Sequence, residues 1–376
     1  MNPSRSVIDV HVLQTLPPSC LNRDDTNSPK TAVYGGARRA RVSSQSWKRA
    51  TRRYFNEHLE SAGAGLRTRK LGDLLGQRLR ERIGAAGAVD DSEVAKLVNL
   101  ATGALLGLKG DKLTKRGEQD KVVDLEYALF ISESAIEAAV DQLVAGARGG
   151  ELDIEALKEA MGKGHSLDVA LFGRMIADTP ELNVDAACQV AHAISTHRVS
   201  PEFDFYTTVD DLAGDDESGA AMMGYVEFNS ATLYRFATVS LGRLADNLGE
   251  TGPVAKGVRT FAEGFVKSLP TGHQNSFAAL TLPDLVFVSL RGDQPLSLVG
   301  AFEHPVESSG GYVLESAKRL ADHAAELDEL YGAPRIAGWA CYLPALKDVG
   351  DHLGDSIGFP QLLDALEAAV EERLAR

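Results

Sequence analysis

The chain has 376 residues, 44% of them hydrophobic, and a formal net charge of −14; that is enough apolar material for a sizeable core, in two domains or in one with a large insertion. Its three cysteines, Cys20, Cys188 and Cys341, are odd in number and far apart and form no C-x-x-C pair, which argues against a disulfide framework and a zinc knuckle. No run approaches eighteen apolar residues and the amino-terminal stretch lacks a signal-peptide core, so a soluble, cytoplasmic protein with no membrane partner is expected.

In chain order, "SVIDVHVLQTL" (6–16) alternates apolar and polar residues with β-branched enrichment, which predicts a strand with one buried face. The polar stretch 17–39 that follows is too long for an ordinary connection and reads as functional or disordered. From Ser44 the period becomes helical: Trp47, Ala50, Thr51, Tyr54 and His58 share one face, and Lys48, Arg49, Arg52 and Arg53 fall on the other. Between Arg23 and Arg53 nine cations meet two anions, +7 in a segment of a chain whose remainder carries −21. Such a local stripe can hold a polyanion that the rest of the surface repels. Ser43, Ser44 and Gln45 stand where free N–H groups at a helix start favour an anion. Gly35 and Gly36 allow close backbone approach, and the forked side chains of Arg38, Arg39 and Arg41 suit phosphate. The alternative is a solvated basic face on which Ser44 is a plain N-cap.

Residues 66 to about 196 are predicted to be helical, in segments 70–83, 93–108, 124–146 and 184–195, interrupted by "GHSLDVALFGRMIADTPELN", where Arg174 and Met175 fall beside a turn. From periodicity alone Met175 reads as a core residue. Two β-prone arms, 203–209 and 222–228, then flank an acidic tip (Asp210, Asp211, Asp215, Asp216, Glu217), a hairpin pattern. Phe203, Phe205 and Tyr206 on one arm are costly to expose unless a base or a neighbouring protein covers them. The remainder reads as strand (225–241), helix (255–269), strand (284–291) and helices near 312–331 and 360–375. The order β-α, helical insertion, hairpin, β-α-β predicts an α+β chain with a split ferredoxin-like sheet.

Catalytic patterns are scarce. There is no G-x-x-x-x-G-K-[ST], H-E-x-x-H or G-x-S-x-G, and His192 and His197 are five apart, on different faces of a helix. No catalytic residue, metal or cofactor is therefore expected. A metal-independent endoribonuclease is the competing class, with His11 on the first strand as its candidate base.

The run "HVLQTLPPSCLNRDDTNSPKTAVYGGARRARVSSQSWKRATRR", with "DVALFGRM", "AHAISTH", "DFYTTVDDL", "EFNSATLYRFATVSL" and "FAALTLPDLVFVSL", resembles the CasC-type backbone subunit of Cascade, the type I-E CRISPR surveillance complex, in the RAMP superfamily. The resemblance implies an RRM-like palm (1–62 and 229–376), a helical fingers insertion (63–197) and a protruding β-hairpin thumb (198–228). It implies copies stacked along one CRISPR guide RNA beside other Cascade subunits, with the target DNA strand reached through the guide. It places the RNA-facing residues at Arg23, Lys30, Ser43, Gln45, Lys48, Arg49 and Arg52 on the palm, Arg174 and Met175 on the fingers, and Phe205 and Tyr206 on the thumb.

Overall fold

The computed structural model describes residues 5–58, 65–84, 90–105, 122, 124–125, 128–162, 165–176, 179–208, 222–332 and 335–376. They divide into two units: Met1–Tyr54 with Val190–Thr238 and Val258–Arg376, and Phe55–Gln189 with Val239–Gly257. In chain order the elements are β1 (Val7–Ser19), β2 (Thr31–Tyr34), β3 (Ala37–Val42), α1 (Ser44–His58), β4 (Leu66–Thr68), α2 (Leu71–Ile83), α3 (Asp91–Leu105), β5 (Leu129–Ile131) and α4 (Glu133–Ala147). There follow α5 (Ile154–Gly162), α6 (Leu167–Phe172), β6 (Cys188–Val190), β7 (Ala193–Ser195), β8 (Glu202–Thr208), β9 (Met222–Ser240), α7 (Leu241–Leu248), α8 (Val254–Lys267) and α9 (Gln274–Phe277). The last are β10 (Leu285–Arg291), α10 (Val313–Tyr331), β11 (Ala337–Tyr342), α11 (Lys347–Gly350), β12 (Asp355–Ser356) and α12 (Phe359–Ala375). The fold is mixed α+β around one large sheet.

That sheet runs β12-β11-β10-β1-β9-β7-β3-β2. β1 is central, paired antiparallel to β10 from Val7↔Arg291 to Leu13↔Leu285. The alternation of residues 6–16 predicts one buried face, yet the strand is buried on both from Val7 to Gln14, because helices cover both sides of the sheet. Its polar residues Asp9, His11 and Gln14 are therefore interior. On β9 the period of two sends Tyr234 and Phe236 into a core with Phe287, Phe302 and Leu320 of α10. Arg235, between them, points to the opposite side, where its guanidinium lies 3.7 Å from the Trp47 ring centroid of α1 and 4.6 Å from that of Phe265 of α8. Burial holds this guanidinium down to about 9.

The stretch 17–39 is largely ordered. β2 and β3 form a tight hairpin, Tyr34↔Ala37, whose two-residue turn is Gly35-Gly36 at φ +56 and +69. Both turn positions need the left-handed region, which glycine supplies without steric cost. A Cβ on Gly35 would also stand 1.6 Å from the Glu303 carbonyl oxygen. The glycine pair is thus explained by the turn and by packing, and not by approach to a ligand.

In the second unit α2, α3 and α4 bury Leu71, Leu75, Leu79, Val94, Val98, Ile136, Val140 and Leu143, spaced at i and i+3 or i+4. Two segments predicted as helix differ. Leu129–Ile131 pairs with Leu66–Thr68 as a short ribbon, and α4 starts only after Ser132, whose hydroxyl caps the Ala135 N–H at 3.3 Å. Residues 184–195 hold β6 and β7, with Ile194 opposite Tyr234 of β9 and Arg41 of β3. Small residues spaced for either period occupy this segment, and pairing with strands distant in sequence decides for the sheet.

Candidate nucleic-acid interface

Helix α1 opens with Ser43 as its N-cap and not Ser44: the Ser43 hydroxyl accepts from the Ser46 N–H at 3.3 Å. The Ser43 N–H donates to Asn22 Oδ1 at 2.8 Å, tying the loop after β1 to the helix start. Ser43 is buried and Gln45 exposed. Trp47, Ala50 and Thr51 are buried as the period predicts, while His58 is exposed. On the other face Arg49 and Arg53 are exposed and Lys48 and Arg52 half-buried.

Arg49 and Arg53 line a pocket of about 480 Å³ with Asn22, Arg23, Ser46 and the loop Leu269–His273. Arg23 donates to Asn27 Oδ1 at 2.6 Å and has its other contact with His273 Nε2 at 3.4 Å. Arg53 approaches the Thr271 hydroxyl at 3.5 Å. Three guanidiniums and no carboxylate line this space, so its field favours an anion. Lys30 is half-buried at the base of the same loop, where its backbone N–H donates to the Asn22 carbonyl at 2.8 Å. Gly272 lets the far loop close: a Cβ there would meet the Leu21 carbonyl oxygen at 2.3 Å.

The arginines of β3 do not act alike. Arg38 is exposed, but Arg39 is fully buried and donates to the carbonyls of Ser195, Thr196, Phe302 and Glu303 at 2.8–3.2 Å. Burial lowers its pKa. Arg39 is thus a structural tie and not a phosphate fork. Arg41 donates to the Thr31 carbonyl at 3.1 Å.

β8 and β9 pair antiparallel from Glu202↔Phe228 to Thr208↔Met222, so both arms of the expected hairpin are present. The acidic tip lies in 209–221, outside the described residues. Phe205 and Tyr206, adjacent in sequence, face opposite sides of this ribbon. Phe205 pairs with Tyr225, ring centroids 5.3 Å apart, on the side that also carries Phe203 and Met223. Tyr206 lies over Gly224, where a Cβ would stand 2.5 Å from its hydroxyl.

The sequence matches the family described as CT1975-like protein over residues 8–364. The chain belongs to this family. One chain of a solved structure described as "CRISPR RNA-guided surveillance complex, pre-nicking" is 34% identical with TM-score 0.85, covering 97% of this chain and 100% of that one. A chain of another, described as "CRISPR RNA-guided surveillance complex", is 30% identical with TM-score 0.75, covering 96% and 99%. No curated protein sequence matches. The fold is accordingly that of CRISPR surveillance-complex subunits.

In the second unit of this family member, Arg174 is buried and donates to the Leu182 carbonyl from Nε at 3.0 Å and from Nη2 at 2.8 Å. Desolvation lowers it to about 10. Its guanidinium pins its own loop and is not presented to a base. The neighbouring Met175 is 83% exposed, the reverse of the core position its periodicity suggests. His11, the candidate base, is buried between Phe236 and Phe287, both rings at 5.1 Å, with Nδ1 2.9 Å from the Tyr234 hydroxyl. Desolvation pushes it down to about 3. It cannot reach an RNA backbone. Among the described residues no group of three or more His, Cys, Asp or Glu side chains could hold a metal ion, and no helix is long and apolar enough to cross a membrane.

Of the pocket residues sequence reasoning assigns only Arg23 and Arg49 to the site, and it leaves out Arg53, Asn22, Ser46 and the loop Leu269–His273 among others. Arg53 shares the cationic face of α1 and could have been added from periodicity. The loop 269–273 carries no local signal that joins it to residue 23.

Proposed function

We propose that the chain is a guide-RNA-binding backbone subunit of the CasC type in a type I-E Cascade complex, copies of which line one CRISPR RNA and present it for pairing with invading DNA. The observation that carries this reading is the carboxylate-free pocket of Arg23, Arg49 and Arg53 at the start of α1, in a chain similar along its whole length to surveillance-complex subunits. The strand order supports an RRM-like palm: in the succession β1-α1-β7-β9-α8-β10, the first strand lies between the third and the fourth, as in a ferredoxin-like sheet. The cations of α1 grip phosphates, so binding is largely independent of guide sequence. The charge of −14 over the whole chain keeps RNA off other surfaces. In the fingers Met175 is the exposed candidate for an RNA contact, with Arg174 holding its loop, and the hairpin acts as a thumb.

Co-expression with a CRISPR RNA, followed by size-exclusion chromatography and electron microscopy, tests the reading. The expected result is a curved row of repeated subunits on intact RNA. A monomer that retains no RNA would refute it. The endoribonuclease reading predicts site-specific cleavage of repeat RNA abolished by His11→Ala; with His11 enclosed as it is, uncut RNA is expected.

A further inference from the structure

The loop Leu269–His273, which closes the pocket of Arg23, Arg49 and Arg53, ends in a costly backbone conformation. His273 sits at φ +48 and ψ +24 and Ala278 at φ +48 and ψ +38, both in the left-handed region that residues with a Cβ avoid. The two bracket α9, whose Ser276 and Phe277 N–H groups both donate to the His273 carbonyl at 3.0 Å, while the Gln274 amide reaches back to the Pro270 carbonyl at 3.2 Å. This turn brings the half-buried His273 ring into the pocket, with Nε2 3.4 Å from Arg23 Nη1. The charged groups that share the pocket with the ring are Arg23 from the loop after β1 and Arg49 and Arg53 from α1. Its own loop and α9 bring none, and α9 presents only the Phe277 ring, edge-on with centroids 6.3 Å apart. Asp24, next to Arg23, turns Oδ1 into its own loop, where it accepts from the Thr26 and Ser28 N–H groups at 2.9 and 3.0 Å.

We propose that His273 takes up one proton as a guide phosphate enters this pocket, and that its ring, here the acceptor for Arg23, thereby becomes a fourth cationic donor to that phosphate. The inference rests on the guide-binding reading above. A guanidinium only donates, so the contact at 3.4 Å makes Nε2 the acceptor and leaves the ring's one proton on Nδ1. A proton taken from solvent forms one Nε2–H bond and changes the ring from neutral to +1, and no other bond breaks. Arg23 and His273 then present donors to each other, an arrangement that an oxygen accepting from both resolves. A phosphodiester supplies such oxygens together with a full negative charge, which makes both hydrogen bonds charge-assisted. Arg23 is exposed and also donates to Asn27 Oδ1 at 2.6 Å, so it can release the ring and still keep a partner. Imidazole is the side chain that changes charge between about pH 5 and 8, and the grip therefore tightens as pH falls through that range. A histidine that only held the loop in place would add no pH dependence to RNA binding.

The test measures binding of a short labelled single-stranded RNA to the full chain by fluorescence anisotropy at pH 6, 7 and 8 and constant ionic strength. Affinity of the parent chain should rise by about threefold or more from pH 8 to pH 6, with a limit of about tenfold per pH unit for one linked proton. His273→Asn, whose side chain tolerates the left-handed backbone, should bind more weakly at pH 6 and lose this dependence. His273→Arg, a permanent cation, should hold at pH 8 the affinity that the parent reaches at pH 6. Calorimetry in two buffers of different ionisation enthalpy should show more proton uptake by the parent than by either variant, the difference approaching one per bound copy. Circular dichroism at each pH checks that the fold is retained. Equal slopes against pH in the parent and His273→Asn, or a parent that takes up no proton on binding, overturns the inference and leaves the reading of function standing. A chain that binds no RNA at any pH overturns that reading as well.

Discussion

Replacing Lys48, Arg49 and Arg52 together by alanine isolates the electrostatic part of the proposed guide binding, because none of the three is buried. Each phosphate contact on a single strand contributes about 0.7 to the slope of log affinity against log salt, so the variant should lose about 2 units of slope. Between 50 and 200 mM salt each contact is worth about 2.6-fold, and three together about 18-fold. The deficit of the variant relative to the parent chain should therefore shrink by about 18-fold across that range. Fluorescence anisotropy with a short labelled single-stranded RNA, titrated at four or five salt concentrations, reads both quantities. A thermal melt of the variant within a few degrees of the parent shows that Trp47 and its neighbours still pack. Equal affinity at every salt concentration, or a deficit that does not change with salt, would remove this helix face from the interface.

Asp9 is buried, and desolvation raises its pKa from 3.8 to about 6, so the folded state holds a proton that the unfolded state has released. Stability then falls as pH rises from about 4 through 6, and Asp9→Asn should be more stable than the parent at pH 7.5, by up to about 3 kcal/mol, with the gain vanishing below pH 4; urea melts at pH 4 and 7.5 decide, and a pH-independent difference would contradict the assignment. Trp47→Ala, at a fully buried position against Arg235, should cost about 3 to 5 kcal/mol in the same assay. Arg174→Ala leaves the Leu182 carbonyl without its two donors and should destabilise by about 3 kcal/mol, with faster hydrogen exchange in 174–184; unchanged exchange there would show that the loop holds itself.

Long elements with a clear period were legible in the sequence: β1, α1, both arms of the hairpin, β10, α10 and α12 lie within a few residues of their expected places. Short strands were not, since three residues such as Ala193–Ser195 satisfy a helical and an extended period equally and only their partners on β3 and β9 distinguish them. The hairpin β2–β3 was hidden by its charge, because "ARRARV" does not look like an interior strand until Arg39 is seen holding five carbonyls, that of Tyr34 included. For the interface, cations crowded between residues 23 and 53 were visible as a run, whereas the loop at 269–273 joins them only through the fold. The opposition of Phe205 and Tyr206 follows from strand parity alone.

The register of β1 has a consequence for how the chain is made. Its partners are β9 and β10, so a strand finished by residue 19 has no sheet to join until residues 222–240 and then 285–291 leave the ribosome. At about 5 to 20 residues per second, the wait for the last of these is roughly 13 to 50 seconds. Most of the second unit, Phe55–Gln189, is complete well within that time, its helices needing mainly near neighbours in sequence. During synthesis, then, the unfinished first unit trails a strand and a strongly cationic segment that have no sheet to join. The segment that carries those cations is therefore synthesised well before the sheet that arranges them exists, and the order of translation bears on when the proposed RNA grip can form.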